Sequence, residues 1–292
     1  MLDLNNLDTI KSILKKNNLW PKKGFGQNFL VSRGQLEAII KSADIKDSDT
    51  IVEIGPGLGV LTQELAKRAK LVLAIEADFK LVSYLRTYFK SAKNVKIIHQ
   101  DALMYDLNQM QSDFKLVSNL PYNITSPVIR KFLESQNIAD LNIDADQRGI
   151  NKLDSMVIMV QKEVAERLTA KPGSSDRGIL TVMIELFGNA EIVEIVPRSD
   201  FWPSPDVDSA ILKISIVPPR FSVDQRLLMK FVKVGFSQKR RQIHHPLAAN
   251  FHLPTSEIKD ILESVNIDPS NRAEDLTIEQ WIGLYDKFCI RG

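Results

Sequence analysis

The sequence predicts an α/β fold, a mostly parallel sheet with helices on both faces, followed by a smaller helical domain. Three observations carry that prediction. Five short runs rich in Val, Ile and Leu, at 51–54, 71–75, 95–98, 115–118 and 156–160, alternate with segments that suit helices. Strand, helix, strand repeated this often implies parallel strands joined by crossover helices. Two later β-rich runs, 191–196 and 210–217, are joined by a proline-containing connection; they bring the expected sheet to seven strands and can close it as an antiparallel hairpin. At Pro218 and Pro219 the pattern changes, and the spacing beyond is helical.

The N-terminal stretch is a polar lead-in that alternates polar and apolar residues, with no apolar core or small-residue cleavage site, so it does not read as a secretory signal. Residues 34–43 predict a helix with Leu36, Ile39, Ile40 and Ala43 on one face and Ser32 as its cap. Segments 60–69 and 79–91 supply crossover helices. Residues 136–154 are polar, carry Asp140, Asp144, Asp146 and Asp154, and show no period, which marks a surface loop or insertion. Residues 226–234, 255–265 and 278–288 predict helices. The expected domains are 1–217 and 218–292.

Composition bounds the function. With 44% hydrophobic and 25% charged residues, 292 residues can bury a sizeable core. The net charge is only +2, but it is unevenly placed. Residues 225–256 contain no acid, while Arg226, Lys230, Lys233, Lys239, Arg240 and Arg241 fall there with three histidines. The single Cys289 cannot form an internal disulfide, and no run approaches the length of a membrane span. A cytoplasmic monomer is expected. No metal site is expected, because the clustered histidines lack cysteine or acidic partners at ligand spacing.

The strongest local feature is Glu53-Ile54-Gly55-Pro56-Gly57-Leu58-Gly59, between a predicted strand and a predicted helix. Glycines here allow a tight turn and close approach of a nucleotide-like ligand. Glu76 ends the next strand, where a carboxylate can accept from ribose hydroxyls. The dinucleotide fingerprint G-x-G-x-x-G is missed by one residue, since Val60 stands where its third glycine belongs. A packed diphosphate wants that glycine; a cofactor without phosphates does not. Asp101 follows the third strand, where it is either a turn residue or an acceptor for an adenine amino group. Glycine turn, Glu76 and Asp101 thus fall at successive strand ends, the edge where such sheets hold ligands.

Asn119-Leu120-Pro121-Tyr122 ends the fourth strand. An exocyclic adenine amine is a poor nucleophile because its lone pair is delocalised into the ring. Two acceptors aimed at its hydrogens, the Asn119 side-chain oxygen and the Leu120 carbonyl, would favour a pyramidal nitrogen. Pro121 fixes that carbonyl, and Tyr122 offers a face for the base. The bland alternative is a strand ending in a proline turn with a half-buried tyrosine.

Together with Gly26-Gln27-Asn28-Phe29-Leu30, the 159–168 segment and Phe201-Trp202-Pro203-Ser204-Pro205-Asp206-Val207-Asp208-Ser209, these motifs occur in the order found in the ribosomal RNA adenine N6-dimethyltransferases, the kasugamycin-resistance family, which the chain resembles over roughly 22–241. The resemblance implies a Rossmann-like class I methyltransferase fold and S-adenosylmethionine as cofactor. It implies contact with that cofactor by Asn28, Leu30, Gly55, Gly57, Glu76, Asp101 and Asn119. Asn119, Leu120 and Tyr122 would hold the target adenine, and Phe201 would stack on its other face. Lys239, Arg240 and Arg241 would contact RNA, with small-subunit ribosomal RNA or the immature small subunit as partner. The chain departs from the family at Gln242-Ile243-His244-His245-Pro246-Leu247, which bears on the local helix and on RNA contacts. Other readings stay open: a large-subunit RNA or other adenine methyltransferase, a non-catalytic ribosome-assembly factor, and a nucleotide-dependent oxidoreductase.

Overall fold

The computed structural model describes residues 4–21, 27–136, 152–218 and 220–289. In chain order the elements are α1 (Leu7–Lys16), β1 (Phe29–Leu30), α2 (Arg33–Ala43), β2 (Thr50–Ile54), α3 (Val60–Ala66), β3 (Leu71–Glu76), α4 (Phe79–Tyr88), β4 (Val95–His99), β5 (Phe114–Asn119), α5 (Thr125–Glu134), β6 (Leu153–Gln161), α6 (Lys162–Leu168), α7 (Ile179–Phe187), β7 (Gly188–Val196), β8 (Phe201–Trp202), β9 (Ser209–Ile216), α8 (Gln225–Gly235), α9 (His244–Phe251), α10 (Thr255–Ser264) and α11 (Ile278–Cys289).

Continuous apolar strands need cover on both faces, and β2 is buried at every position. The seven-stranded sheet has the order β4-β3-β2-β5-β6-β9-β7. Strands β2 to β6 pair in parallel, and β9 runs antiparallel to β6, with β7 beyond it at the edge. The chain builds outward from β2 through β3 to β4, then returns to β5 on the other side of β2. That reversal opens a crevice beyond the carboxyl ends of β2 and β5. A separate antiparallel pair, β1 with β8, sets Phe29 opposite Trp202 and Leu30 opposite Phe201.

Several elements differ from expectation. The polar lead-in contains α1, whose cap Asn6 accepts from the Asp8 and Thr9 amides at 2.9 and 3.1 Å. Its Ile10, Ile13 and Leu14 are buried. α3 and α4 stop at Ala66 and Tyr88, short of the predicted ends, and β6 begins at Leu153, earlier than predicted. Most of the proposed 136–154 insertion, residues 137–151, lies outside the described residues. Pro246 does not prevent a helix: it sits in the first turn of α9, where a missing N–H costs no intrahelical bond.

The described chain divides into two units. Unit 1 holds 4–136, 152–165 and Ala190–Ile216, hence the sheet. Unit 2 holds the C-terminal helices and also Glu166–Asn189, so α7 belongs with them rather than with the residues around it in sequence. Arg177 shows why: its guanidinium pairs with Glu185 and donates to the carbonyl of Leu276 at 3.2 Å, all within unit 2. Among the described residues no helix is long and apolar enough to cross a membrane.

Candidate active site

A cavity of about 260 Å³ opens in unit 1 at the strand reversal. Every residue expected to contact cofactor or adenine lines it except Phe201. The glycine turn forms its floor. Gly55, Gly57 and Gly59 have φ of 66°, 58° and 83°, and the Gly55 amide donates to the Ile75 carbonyl at 2.9 Å, joining the ends of β2 and β3. A Cβ on Gly55 would lie 3.2 Å from the Pro121 ring, and one on Gly57 would lie 3.3 Å from the Phe29 ring. The turn therefore packs directly against the Asn119–Tyr122 motif on one side and β1 on another. Only residues without side chains allow that approach.

Asn119 is held at the end of β5 by neighbours on both sides. Ser118 donates through its hydroxyl to the Ile54 carbonyl at 2.5 Å, tying β5 to β2 beneath the turn. The Asn119 amide nitrogen donates to the Asn28 carbonyl at 3.4 Å, a long bond that leaves the side-chain oxygen as the end available to a ligand. Tyr122 is pinned by a 2.6 Å hydroxyl contact with Ser209, and burial raises its pKa. Ser209 was not singled out from sequence. It reaches the site because β9 pairs with β6, a contact between residues far apart in the chain.

Two buried carboxyls face the cavity from neighbouring strands. Glu76 accepts from the Asp78 amide at 2.9 Å; burial raises its pKa, and the backbone amides of Asp78, Gly57 and Ala77 oppose that rise. Glu53 belonged to the glycine motif but had been given no role. Burial pushes it up to about 8, the Thr62 hydroxyl at 2.6 Å opposes the rise, and the charge of Glu76 adds to it. Burial thus favours the neutral acid, which can donate a hydrogen bond. Asp101 acts as a turn residue, its carboxylate accepting from the Leu103 amide at 2.8 Å, and it also lines the cavity.

Phe201 does not line the cavity: it is 3% exposed, pairs opposite Leu30 and packs in the hydrophobic core. Lys239, Arg240 and Arg241 are exposed residues of unit 2. The Lys239 ammonium donates to the Ser175 carbonyl at 2.7 Å.

The charge of the lining is informative. Among the described residues it contains Glu53, Glu76 and Asp101 and no Lys, Arg or His. Such a wall repels a diphosphate and suits a ligand that offers hydroxyls, amines or positive charge.

Comparison with known proteins agrees with this geometry. The family model described as ribosomal RNA adenine dimethylase matches residues 5–288. The ribosomal RNA small subunit methyltransferase A of Dehalococcoides mccartyi is 41% identical over 285 residues, covering 96% of this chain and 91% of that protein. The protein of the same name from Lactiplantibacillus plantarum is 38% identical over 297 residues, covering 98% and 96%. Among solved structures, a dimethyladenosine transferase from Plasmodium falciparum superposes with a TM-score of 0.74 at 28% identity, over 90% of this chain and 98% of that one. The 23S rRNA methyltransferase ErmE gives 0.69 at 26%, over 89% and 99%. Since the match spans both units and takes in the whole cavity, the chain belongs to the ribosomal RNA adenine dimethylase family.

Proposed function

We propose that the chain transfers methyl groups from S-adenosylmethionine to the N6 amine of adenines in small-subunit ribosomal RNA, twice on each target. The observation that carries this reading is a cavity whose ionisable walls, among the described residues, are all acids, with Asn119 beside the glycine turn. That lining fits the cofactor, which is cationic at sulfur and at its amine and carries ribose hydroxyls. On this reading Glu76 accepts from the ribose, Asp101 accepts from the adenine amino group, and the turn at Gly55 and Gly57 passes close beneath. Asn28 and Leu30 would cover the opposite side.

Bound there, S-adenosylmethionine supplies a sulfonium-activated methyl group. The residues of the chain have two tasks, to align the amine and to make its lone pair available. The Asn119 side-chain oxygen and the Leu120 carbonyl accept the amine hydrogens and stabilise the positive charge that develops on nitrogen. Tyr122, fixed by Ser209, presents its ring to the base. No strong base is needed, because the methylated amine is acidic enough to release a proton to water. The adenine must be unstacked to enter.

The small-subunit assignment rests on relatives of that name at about 40% identity, against 26% for ErmE. The acid-free stretch at 225–256, with Arg240 and Arg241 exposed, supports contact with an RNA backbone. On this reading the partner is the immature small subunit and the setting is the cytoplasm. The test is to incubate the protein and labelled S-adenosylmethionine with unmethylated small subunits, large subunits and naked RNA, then digest and identify the nucleosides. Dimethyladenosine from small subunits is the expected product; label confined to large-subunit RNA would overturn the assignment.

A further inference from the structure

The turn that ends α1 places a large aromatic ring in solvent beside the main cavity. Asn18 adopts φ 51°, the Asn18 amide bonds to the Lys15 carbonyl at 3.3 Å, and the Leu19 amide reaches back to the Leu14 carbonyl at 2.8 Å. This left-handed helix stop tucks Leu19 into the core and sends the next residue outward. Trp20 is 68% exposed.

Against Trp20 lies a cleft of about 80 Å³, lined by the apolar side chains of Leu14, Leu19, Phe29 and Leu81 and by Lys80. Gln27 and Phe29 line both this cleft and the main cavity, so the two are neighbours. Lys80 is exposed at the start of α4, and Lys15 and Lys16 are exposed in the last turn of α1. The one acid in the lining, Asp78, is buried and caps α4 by accepting from the Lys80 amide at 3.0 Å. A solvent-facing ring over a cleft lined by an exposed lysine, next to the main cavity, has the composition of a single-strand nucleic-acid subsite.

We propose that this cleft is a nucleotide subsite of the substrate RNA, in which the Trp20 indole stacks on a base neighbouring the target adenine while Lys80, Lys15 and Lys16 meet the backbone phosphates. The cleft is too small to swallow a base, so the base lies across its mouth on the indole face. The inference rests on the RNA reading above and goes beyond it, since neither Trp20 nor Lys80 has a role in holding the cofactor or the target amine.

The test titrates the wild-type protein and the Trp20→Ala, Trp20→Phe and Lys80→Ala variants with a short single-stranded RNA that the wild type methylates. It follows indole fluorescence and transfer kinetics. Stacking quenches the wild-type emission, and Trp20→Ala removes that quench, while Trp281, which is fully buried, and Trp202, which is half-buried, supply the emission that remains. Trp20→Ala raises KM for RNA about 10-fold, with kcat at saturating RNA and cofactor affinity unchanged. Trp20→Phe restores most of the loss. Lys80→Ala lowers the salt dependence of binding by about one counterion. Wild-type KM and wild-type quenching in Trp20→Ala would overturn the subsite alone. So would a defect seen with whole small subunits and absent with naked RNA, which would assign the indole to a protein surface. A wild-type protein that neither binds nor methylates any RNA would instead overturn the functional reading, and the subsite with it.

Discussion

The cavity of unit 1 and the interior of unit 2 both bury polar groups, yet they do so for different ends. In the cavity Glu53, Glu76 and Asp101 face open volume, and each is partly satisfied by a nearby hydroxyl or amide. In unit 2 the guanidinium of Arg177 is fully buried and does not line the cavity. It is shared between the Glu185 carboxylate and the carbonyls of Ala170 and Leu276, while its Nε has no partner among the described residues. Around Trp281 the same unit packs Phe231 and Phe236, with ring centroids 6.2 and 5.8 Å away, and the indole Nε1 is likewise without a partner among the described residues. A buried charge therefore does not mark a site. What separates the two regions is whether the polar atoms converge on space that a ligand can enter.

Substitutions can break or sharpen that contrast. Asn119→Ala removes an acceptor from the cavity and should lower kcat by about 10²–10³-fold, with thermal stability and cofactor affinity near wild type. Turnover within a few-fold of wild type would remove Asn119 from the chemistry. Arg177→Met should act in the opposite manner, leaving kcat per folded molecule intact while lowering stability to denaturant by about 3 kcal/mol, since Glu185 loses its partner but keeps some solvent. An activity defect in a fully folded Arg177→Met protein would erase the distinction. Gly59→Ala sets a Cβ 2.6 Å from the Phe89 ring at a φ of 83°, and should cost about 2 kcal/mol and weaken cofactor binding together. A change in only one of these would separate the turn's structural part from its binding part.

The smallest effect is a pH slope. The folded protein holds a proton on Glu53 up to about 8, whereas the unfolded chain releases it near 4.5. Stability from this source is complete below the lower value and drains away as pH rises through the interval. Glu76, also raised by burial, acts in the same direction. Melting temperature should therefore fall between about pH 5 and pH 8, and Glu53→Gln, which cannot ionise, should flatten that decline. Equal slopes in the two proteins would show that Glu53 carries no such proton.

The contrast also explains what could be read from the sequence. The cavity is written in short segments at the ends of successive strands, so the glycine turn, Glu76, Asp101 and Asn119 were legible from local spacing, and so was the parallel sheet that gathers them. Glu53 was missed as a site residue because a strand buried on both faces gives no alternation to show where an acid points. The burial of Phe201 was not legible for a related reason: it pairs opposite Leu30, a partner distant in sequence. The Tyr122–Ser209 contact and the recruitment of α7 into unit 2 are likewise products of tertiary pairing. The signals of α1 are local, the Asn6 cap and apolar residues at 10, 13 and 14, but the mixing of polar and apolar residues along the stretch hides its helical period.

The central claim is best tested by a crystal structure of the protein with a non-reactive S-adenosylmethionine analogue and adenosine. The account predicts the analogue's ribose on Glu76 and the N6 of the adenosine within 3.2 Å of the Asn119 side-chain oxygen, at about hydrogen-bonding distance. An adenosine bound elsewhere, with Asn119 turned away from it, would contradict the account.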